Sequence, residues 1–383
     1  MSKYLERFRR VSSQRYMPEV DGMRFLAIIP VVLLHFRTAF LRYNGNYTLE
    51  TLSPLDRLID QWIKTGDVGV YIFFAISGFI LTLPFANYYI NGSKKVDLKR
   101  YFLKRLTRLE PPYIITLTLL FLIHIYLQTD PVQQLVRSYF ASLVYSHNWI
   151  FGKWSIINPV AWSLEIEVQF YIMVPVLTLL FAIKNKLLKR ILLFSLVFLF
   201  PFLNFNIFHT KILSLLRFGQ YFVIGILVAD IYLSFKTLGL KKYLIDIIGS
   251  ISIVLIFVFQ FYRFYSLVPW AIFIVFISVL YGGVLKKIFS NQLISIVGGM
   301  CYITYLIHYS LITGLVKYLP HLSTGLGYWY DFIVNGIFII PLVLTISAYA
   351  FIYLEKPFMK HDWPQRFKNF VFIRVLKRSK VKV

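Results

Sequence analysis

Apolar runs close to a bilayer's thickness recur from one end of the sequence to the other, and they constrain the fold more than any other feature. A membrane-crossing helix needs about 20 apolar residues at about 1.5 Å each. About ten such stretches are read, at roughly 22–41, 67–90, 110–128, 164–183, 188–204, 213–234, 244–264, 268–285, 294–316 and 330–354. The expected fold is an all-α polytopic membrane protein. With 58% hydrophobic and only 15% charged residues, the chain has too little polar surface for a soluble protein of 383 residues. The stretch 131–162 is too broken for a span, and an interfacial helix is expected from Val132 to Val144. Three segments follow: 1–20 basic, 21–358 transmembrane and 359–383 basic.

A formal charge of +24 on a soluble protein would point to nucleic acid. Here the basic residues flank the spans, so membrane lipid is the expected partner and nucleic acid is not. If the spans alternate, thirty of the 41 Lys and Arg fall on one side, eight on the other, and Arg24, Arg37 and Arg217 within spans. That asymmetry predicts an even number of crossings, both termini cytoplasmic, and the 42–66 and 129–163 loops outside. The single cysteine, Cys301, rules out an intramolecular disulfide. The first residues lack a cleavage site of small side chains, so the first span is expected to be retained.

Polar groups in hydrocarbon are costly and face a partner or a wet cavity. In "DGMRFLAIIPVVLLHF", His35 follows Arg24 by eleven residues. On an unbroken helix they share a face, about 20° apart in rotation and about 16 Å apart along the axis. That suits a substrate arriving from the cytoplasm and delivering its far end to the imidazole. The alternatives are an arginine snorkelling to headgroups and a structural histidine. Ser77 and Gly78 in the second span are read first as packing residues. In the fourth, Ser163 is expected to cap the helix and Glu165 to favour its positive end. Glu167 and Gln169 lie deeper and lack such an explanation. His308 falls near the depth of His35. Arg105 and Arg108, one turn apart before a double proline, fit attraction to anionic lipid or a phosphate clamp.

Together these motifs resemble the acyltransferase-3 family of integral membrane acyltransferases, over about Tyr16 to Phe358. "VDGMRFLAIIPVVLLHF" is similar to the family's arginine, ten residues, histidine span. "FFAISGF", "RLTR", "WSLEIEVQFY", "YLIHYSLI" and "YLEKPF" follow in the family's order. Two departures are mild: Ile307-His308 stands for the usual Trp-His, and Glu355-Lys356-Pro357-Phe358 for Glu-Arg-Pro-Phe. With no fused extracytoplasmic domain in the sequence, the chain resembles the stand-alone members.

The resemblance implies transfer of an acyl group, commonly acetyl, from cytoplasmic acyl-coenzyme A to a hydroxyl. Acceptors in the family include cell-surface polysaccharides and lipid-linked sugars. No permanently bound cofactor and no metal is expected, and the expected location is a cell membrane, the plasma membrane of a bacterium. On that basis Arg105 and Arg108 would hold the donor's phosphates and Arg24 would guide its arm. His35, with an ordinary pKa of about 6.5, would act as general base or form an acyl-histidine. Glu167 would orient His35 or a second proton carrier, with Ser77, Gln169 and His308 as supporting polar groups. The competing classes are a transporter of a small anion or lipid-linked sugar and a scaffold without chemistry. Against a transporter stands the lack of an internal repeat; Gly298-Gly299 is the nearest candidate for a broken helix.

Overall fold

The computed structural model describes residues 6–10, 16–359 and 363. Most of the basic segments 1–20 and 359–383 lies outside them. The helices that matter here are α1 (Pro18–Tyr43), α2 (Pro54–Lys64), α3 (Val68–Asn91), α4 (Leu98–Tyr126), α5 (Val132–Leu143), α6 (Trp162–Leu177) and α7 (Lys186–Phe202). They are followed by α8 (Leu215–Ser234), α9 (Lys242–Phe261), α10 (Val268–Tyr281), α11 (Gln292–Gly299), α12 (Cys301–Tyr318) and α13 (Tyr328–Ala350). Among the described residues there is no strand, and eight helices are long and apolar enough to cross a bilayer. α11 and α12 make a ninth crossing if taken together, although they meet at 69°. The chain is an all-α polytopic membrane protein.

Three of the expected spans differ from the structure. The stretch read as 268–285 is a helix of 14 residues, about 21 Å long, short of the roughly 30 Å hydrocarbon layer. Gly282 and Gly283 end it. The Asp246 carboxylate then accepts the backbone N–H groups of Gly283, Val284 and Leu285 at 2.9–3.1 Å, capping the next short turn. The stretch read as 110–128 begins at Leu98 instead, with Asp97 accepting from the Arg100 amide, and runs through Pro111 and Pro112. Arg105 and Arg108 therefore belong to the spanning helix itself. The Tyr302 hydroxyl donates to the Leu109 carbonyl (2.8 Å) beside the double proline. Finally, the stretch read as 294–316 is broken at Gly299–Met300, where the sequence had shown only a weak sign of a break.

α1, α3 and α8 form the centre, and α4, α7, α9 and α13 expose much of their apolar surface outward. Gly78 on α3 and Gly225 on α8 let two backbones touch. A Cβ on Gly78 would collide with the Phe222 carbonyl, and one on Gly225 with that of Ala75. α5 forms as expected and lies against α4, with the Tyr113 hydroxyl donating to the Ser142 carbonyl (2.9 Å). Several buried charges are paired. Arg37 makes a two-pronged contact with Asp60 (2.5 Å each), and Lys189 and Arg190 hold Asp230 at 2.5 and 2.7 Å. Lys356 donates to the carbonyls of Glu6 (3.3 Å) and Arg7 (2.6 Å), so residues 6–10 and the stretch that follows α13 meet on one face of the bundle.

Candidate active site

Four cationic side chains meet where the N-terminal parts of α1 and α4 approach the α11–α12 break. Arg24 comes from α1, Arg105 and Arg108 from α4, and Arg10 from the segment before α1. They line a chamber of about 130 Å³ that also takes in Ser77, Glu167, Cys301, Tyr305 and Glu355. The break makes room for it. The Glu355 carboxylate reaches the buried start of α12 and accepts the Ile303 N–H (3.1 Å). Among the described residues, the Nε groups of Arg10, Arg105 and Arg108 are buried without an acceptor. Four guanidinium groups stand against the two carboxylates that line the chamber, Glu167 and Glu355, and Asp21 behind Arg10 and Arg24; the remaining excess of positive charge invites an anion. Arg105 and Arg108 thus point into the protein, which favours the phosphate clamp over simple attraction to lipid.

Two further groups of hydrogen bonds stand around the chamber. Ser77 donates to Glu167 (2.6 Å), which ties α3 to α6. Ser163 donates to the Tyr305 hydroxyl (2.8 Å), and Tyr305 donates to the Val160 carbonyl (3.0 Å). Ser163 was expected to cap α6, but a short 3-10 turn, Pro159–Ala161, precedes the helix and leaves the hydroxyl free for α12. Glu165 accepts the Asn148 N–H (3.0 Å), a structural role. Gln169 faces away from the chamber: its side-chain oxygen accepts the Leu215 N–H (2.8 Å) and caps α8. Depth in a span does not say which side of a helix a residue occupies.

His35 lies one level further along, half-buried and outside the chamber's lining. Its ring sits 5.1 Å from that of His308, tilted by 52°, and 5.1 Å from Tyr309, edge to face. His308 is fully buried. Its Nδ1 lies 2.8 Å from the Tyr305 carbonyl and 3.1 Å from that of Thr304. Carbonyl oxygens only accept, so Nδ1 carries the proton and Nε2 presents a lone pair, with no partner among the described residues. Tyr305 links the two levels, since it lines the chamber and its ring lies 5.5 Å from His308. The structure brings Arg24, Ser77, Arg105, Arg108 and Glu167 together in the chamber, and sets His35 beside His308 above it. The expectation that Glu167 orients His35 finds no contact: Glu167 bonds α3, not α1. Pro30 also stands between Arg24 and His35, so the helix is not the uninterrupted ladder that the same-face geometry assumed.

Sequence reasoning missed Arg10, Asp21 and Glu355 as site residues. Asp21 pairs with Arg24 one turn on, and also takes Arg10 Nη1 at 3.2 Å. Glu355 stood inside a quoted motif but carried no stated role. Arg10 was one basic residue in a basic run.

The comparisons with known proteins can be set beside this geometry. The family described as "Acyltransferase domain" (acyltransferase-3) matches residues 17–352. A Staphylococcus aureus (strain MSSA476) protein provisionally named O-acetyltransferase SAS0844 is 27% identical over 92% of this chain and 59% of its own length. O-acetyltransferase OatA of Staphylococcus aureus (strain NCTC 8325 / PS 47) is 26% identical over 97% of this chain and 61% of its own. The chain therefore spans about three fifths of the length of these relatives. No solved structure matches it. With the family match extending over most of the chain, and its motifs on α1, α3, α4 and α6 gathered around one chamber and the histidine pair above it, the chain belongs to the acyltransferase-3 family.

Proposed function

We propose that the protein is a membrane O-acetyltransferase. It takes acetyl from cytoplasmic acetyl-coenzyme A and passes it to a hydroxyl of a glycan or lipid-linked sugar in the plasma membrane of a bacterium. The observation that carries this reading is the chamber of arginines with unpartnered N–H groups, one level below a pair of histidines. Arg105 and Arg108 grip donor phosphates with planar forks, and Arg24 directs the arm along α1. The thioester then reaches the level of Tyr305, His308 and His35.

His35 removes the acceptor hydroxyl's proton as the oxygen attacks the thioester carbon. The C–O bond forms, the C–S bond breaks, and the coenzyme A sulfur leaves, taking up a proton to become the thiol. In the other route the imidazole is acylated first, and the acceptor then takes the acyl group from it. His308, with Nε2 open, accepts or returns a proton beside His35. Glu167 holds Ser77 in place on the chamber wall and does not act on His35 directly.

The test is transfer of labelled acetyl from acetyl-coenzyme A by the purified protein. His35→Ala is expected to remove it, by at least about 10²-fold for a general base, while the protein still reaches the membrane. Esterification at the wild-type rate by that variant would end the role given to His35. One observation favours a carrier instead, the 69° break between α11 and α12. The same assay separates the two, because a carrier releases no free coenzyme A thiol.

A further inference from the structure

A second cavity, of about 610 Å³, lies against the inner ends of α1 and α3. Its wall carries Tyr16, Asn87 and Lys94, and it shares Arg10, Arg24 and Ile80 with the chamber above. These three residues form a neck between a roomy vestibule and the chamber. Arg10 reaches it from residues 6–10, a short hook held at several points. Phe8 is buried in the cluster that contains Tyr113, Ile296 and Met300. Lys356 holds the carbonyls of Glu6 and Arg7, and the Arg9 guanidinium sits 4.2 Å over the Tyr16 ring. An arginine that only met lipid headgroups would point outward. The Arg10 side chain is 15% exposed and turned inward. Burial, and then the charge of Arg24, pull its pKa below the ordinary arginine value. Asp21 is the anion that both arginines share.

We propose that the hook completes the donor site. Arg10 binds the donor's phosphates at the neck, and Asp21 is a resident anion that those phosphates displace. The class of ligand is an adenosine phosphate carrying a diphosphate-linked arm, with the nucleotide in the vestibule and the arm threaded past Arg10 and Arg24. A phosphate brings more negative charge and more acceptor oxygens than Asp21 offers, so it wins the two guanidinium groups, and it can also reach the unpartnered Nε of Arg10. The unloaded protein keeps the arginines oriented through Asp21, at the cost of a competition that the donor must overcome.

This inference rests on the coenzyme A reading, and the experiment separates the two. Full-length protein in detergent is titrated with coenzyme A and with adenosine 3′,5′-bisphosphate. Transfer is followed with acetyl-coenzyme A and with S-acetylpantetheine, which lacks the phosphates. Arg10→Ala is expected to weaken coenzyme A binding about tenfold, as loss of one charge-assisted contact does. The loss of transfer is expected to be smaller with S-acetylpantetheine than with acetyl-coenzyme A, since no phosphate is read there. Arg10→Lys keeps the charge and restores part of the binding. Asp21→Asn, close in shape, is expected to tighten coenzyme A binding roughly threefold, the size of a partly screened charge pair. Unchanged coenzyme A binding by Arg10→Ala, or an equal loss with S-acetylpantetheine, overturns the proposal and makes Arg10 a structural tie. Wild-type protein that binds no coenzyme A removes the donor reading and this inference with it.

Discussion

Arg37 stands two residues beyond His35, and its guanidinium grips both oxygens of Asp60. Both groups are buried, and the Tyr328 hydroxyl adds a long contact to the same carboxylate (3.4 Å). The pair pins the C-terminal part of α1 to α2, and with it the direction in which His35 faces. Arg37→Leu leaves Asp60 buried without its partner, a loss of about 3–5 kcal/mol. The double variant Arg37→Leu/Asp60→Leu is expected to recover most of it, read as thermal unfolding in detergent. Cys301 offers a second check. It is the protein's one cysteine, it is buried, and it lines the chamber. Burial makes the thiol slow to react, so a small neutral thiol reagent is expected to block transfer only slowly, and coenzyme A to slow that block further. Cys301→Ser should resist the reagent. Equal inhibition of Cys301→Ser would show the reagent acting elsewhere. At this scale Arg24, Ser77 and Glu167 were legible because a polar atom inside an apolar run demands a reason. Arg10 and Asp21 were not, because charges outside the runs look alike until the fold selects among them. Gln169 was assigned to the site on depth, and the structure turns it toward α8 instead.

The elements were read most surely where composition alone decides, and least surely where the chain breaks. Long apolar helices were legible because nothing else satisfies backbone groups in hydrocarbon. The length of α4 was not, since Pro111 and Pro112 read as a stop, yet the helix runs through both. The α11–α12 break depends on Glu355, which lies 52 residues beyond the amide it accepts. No local window contains both partners. The contact of α3 with α8 gives a prediction at this scale. Gly225→Val places side-chain atoms against the Ala75 carbonyl and the Phe79 amide, where no room exists. The helices must separate, which costs about 1–3 kcal/mol or more and moves Ser77 away from Glu167. Size-exclusion profiles and melting of tagged protein should show less folded material. Gly314→Ala, where nothing lies near the added carbon, serves as the control. Equal behaviour of the two variants would remove the close approach as a determinant of the bundle.

For the molecule as a whole, sidedness carries the function. The chamber opens toward the face that holds residues 6–10 and Lys356, and coenzyme A is a cytoplasmic compound, so that face must be inward if the donor reading is right. The distribution of Lys and Arg argues for the same orientation. The two arguments overlap at Arg10, Arg105 and Arg108, which enter the charge count and also line the cavity, and they differ in the rest: one counts charges in connections and the other follows a cavity. Impermeant maleimide on intact cells tests both together. In a Cys301→Ser background, Asn46→Cys sits in the exposed connection after α1, and Lys95→Cys in the exposed connection before α4. Asn46→Cys is expected to be labelled in intact cells, and Lys95→Cys only after the cells are opened. Labelling in the reverse order would put the arginine chamber on the outside, where no acyl-coenzyme A is available. The arginines would then face an anion from the medium, and a carrier would become the better account of the same walls.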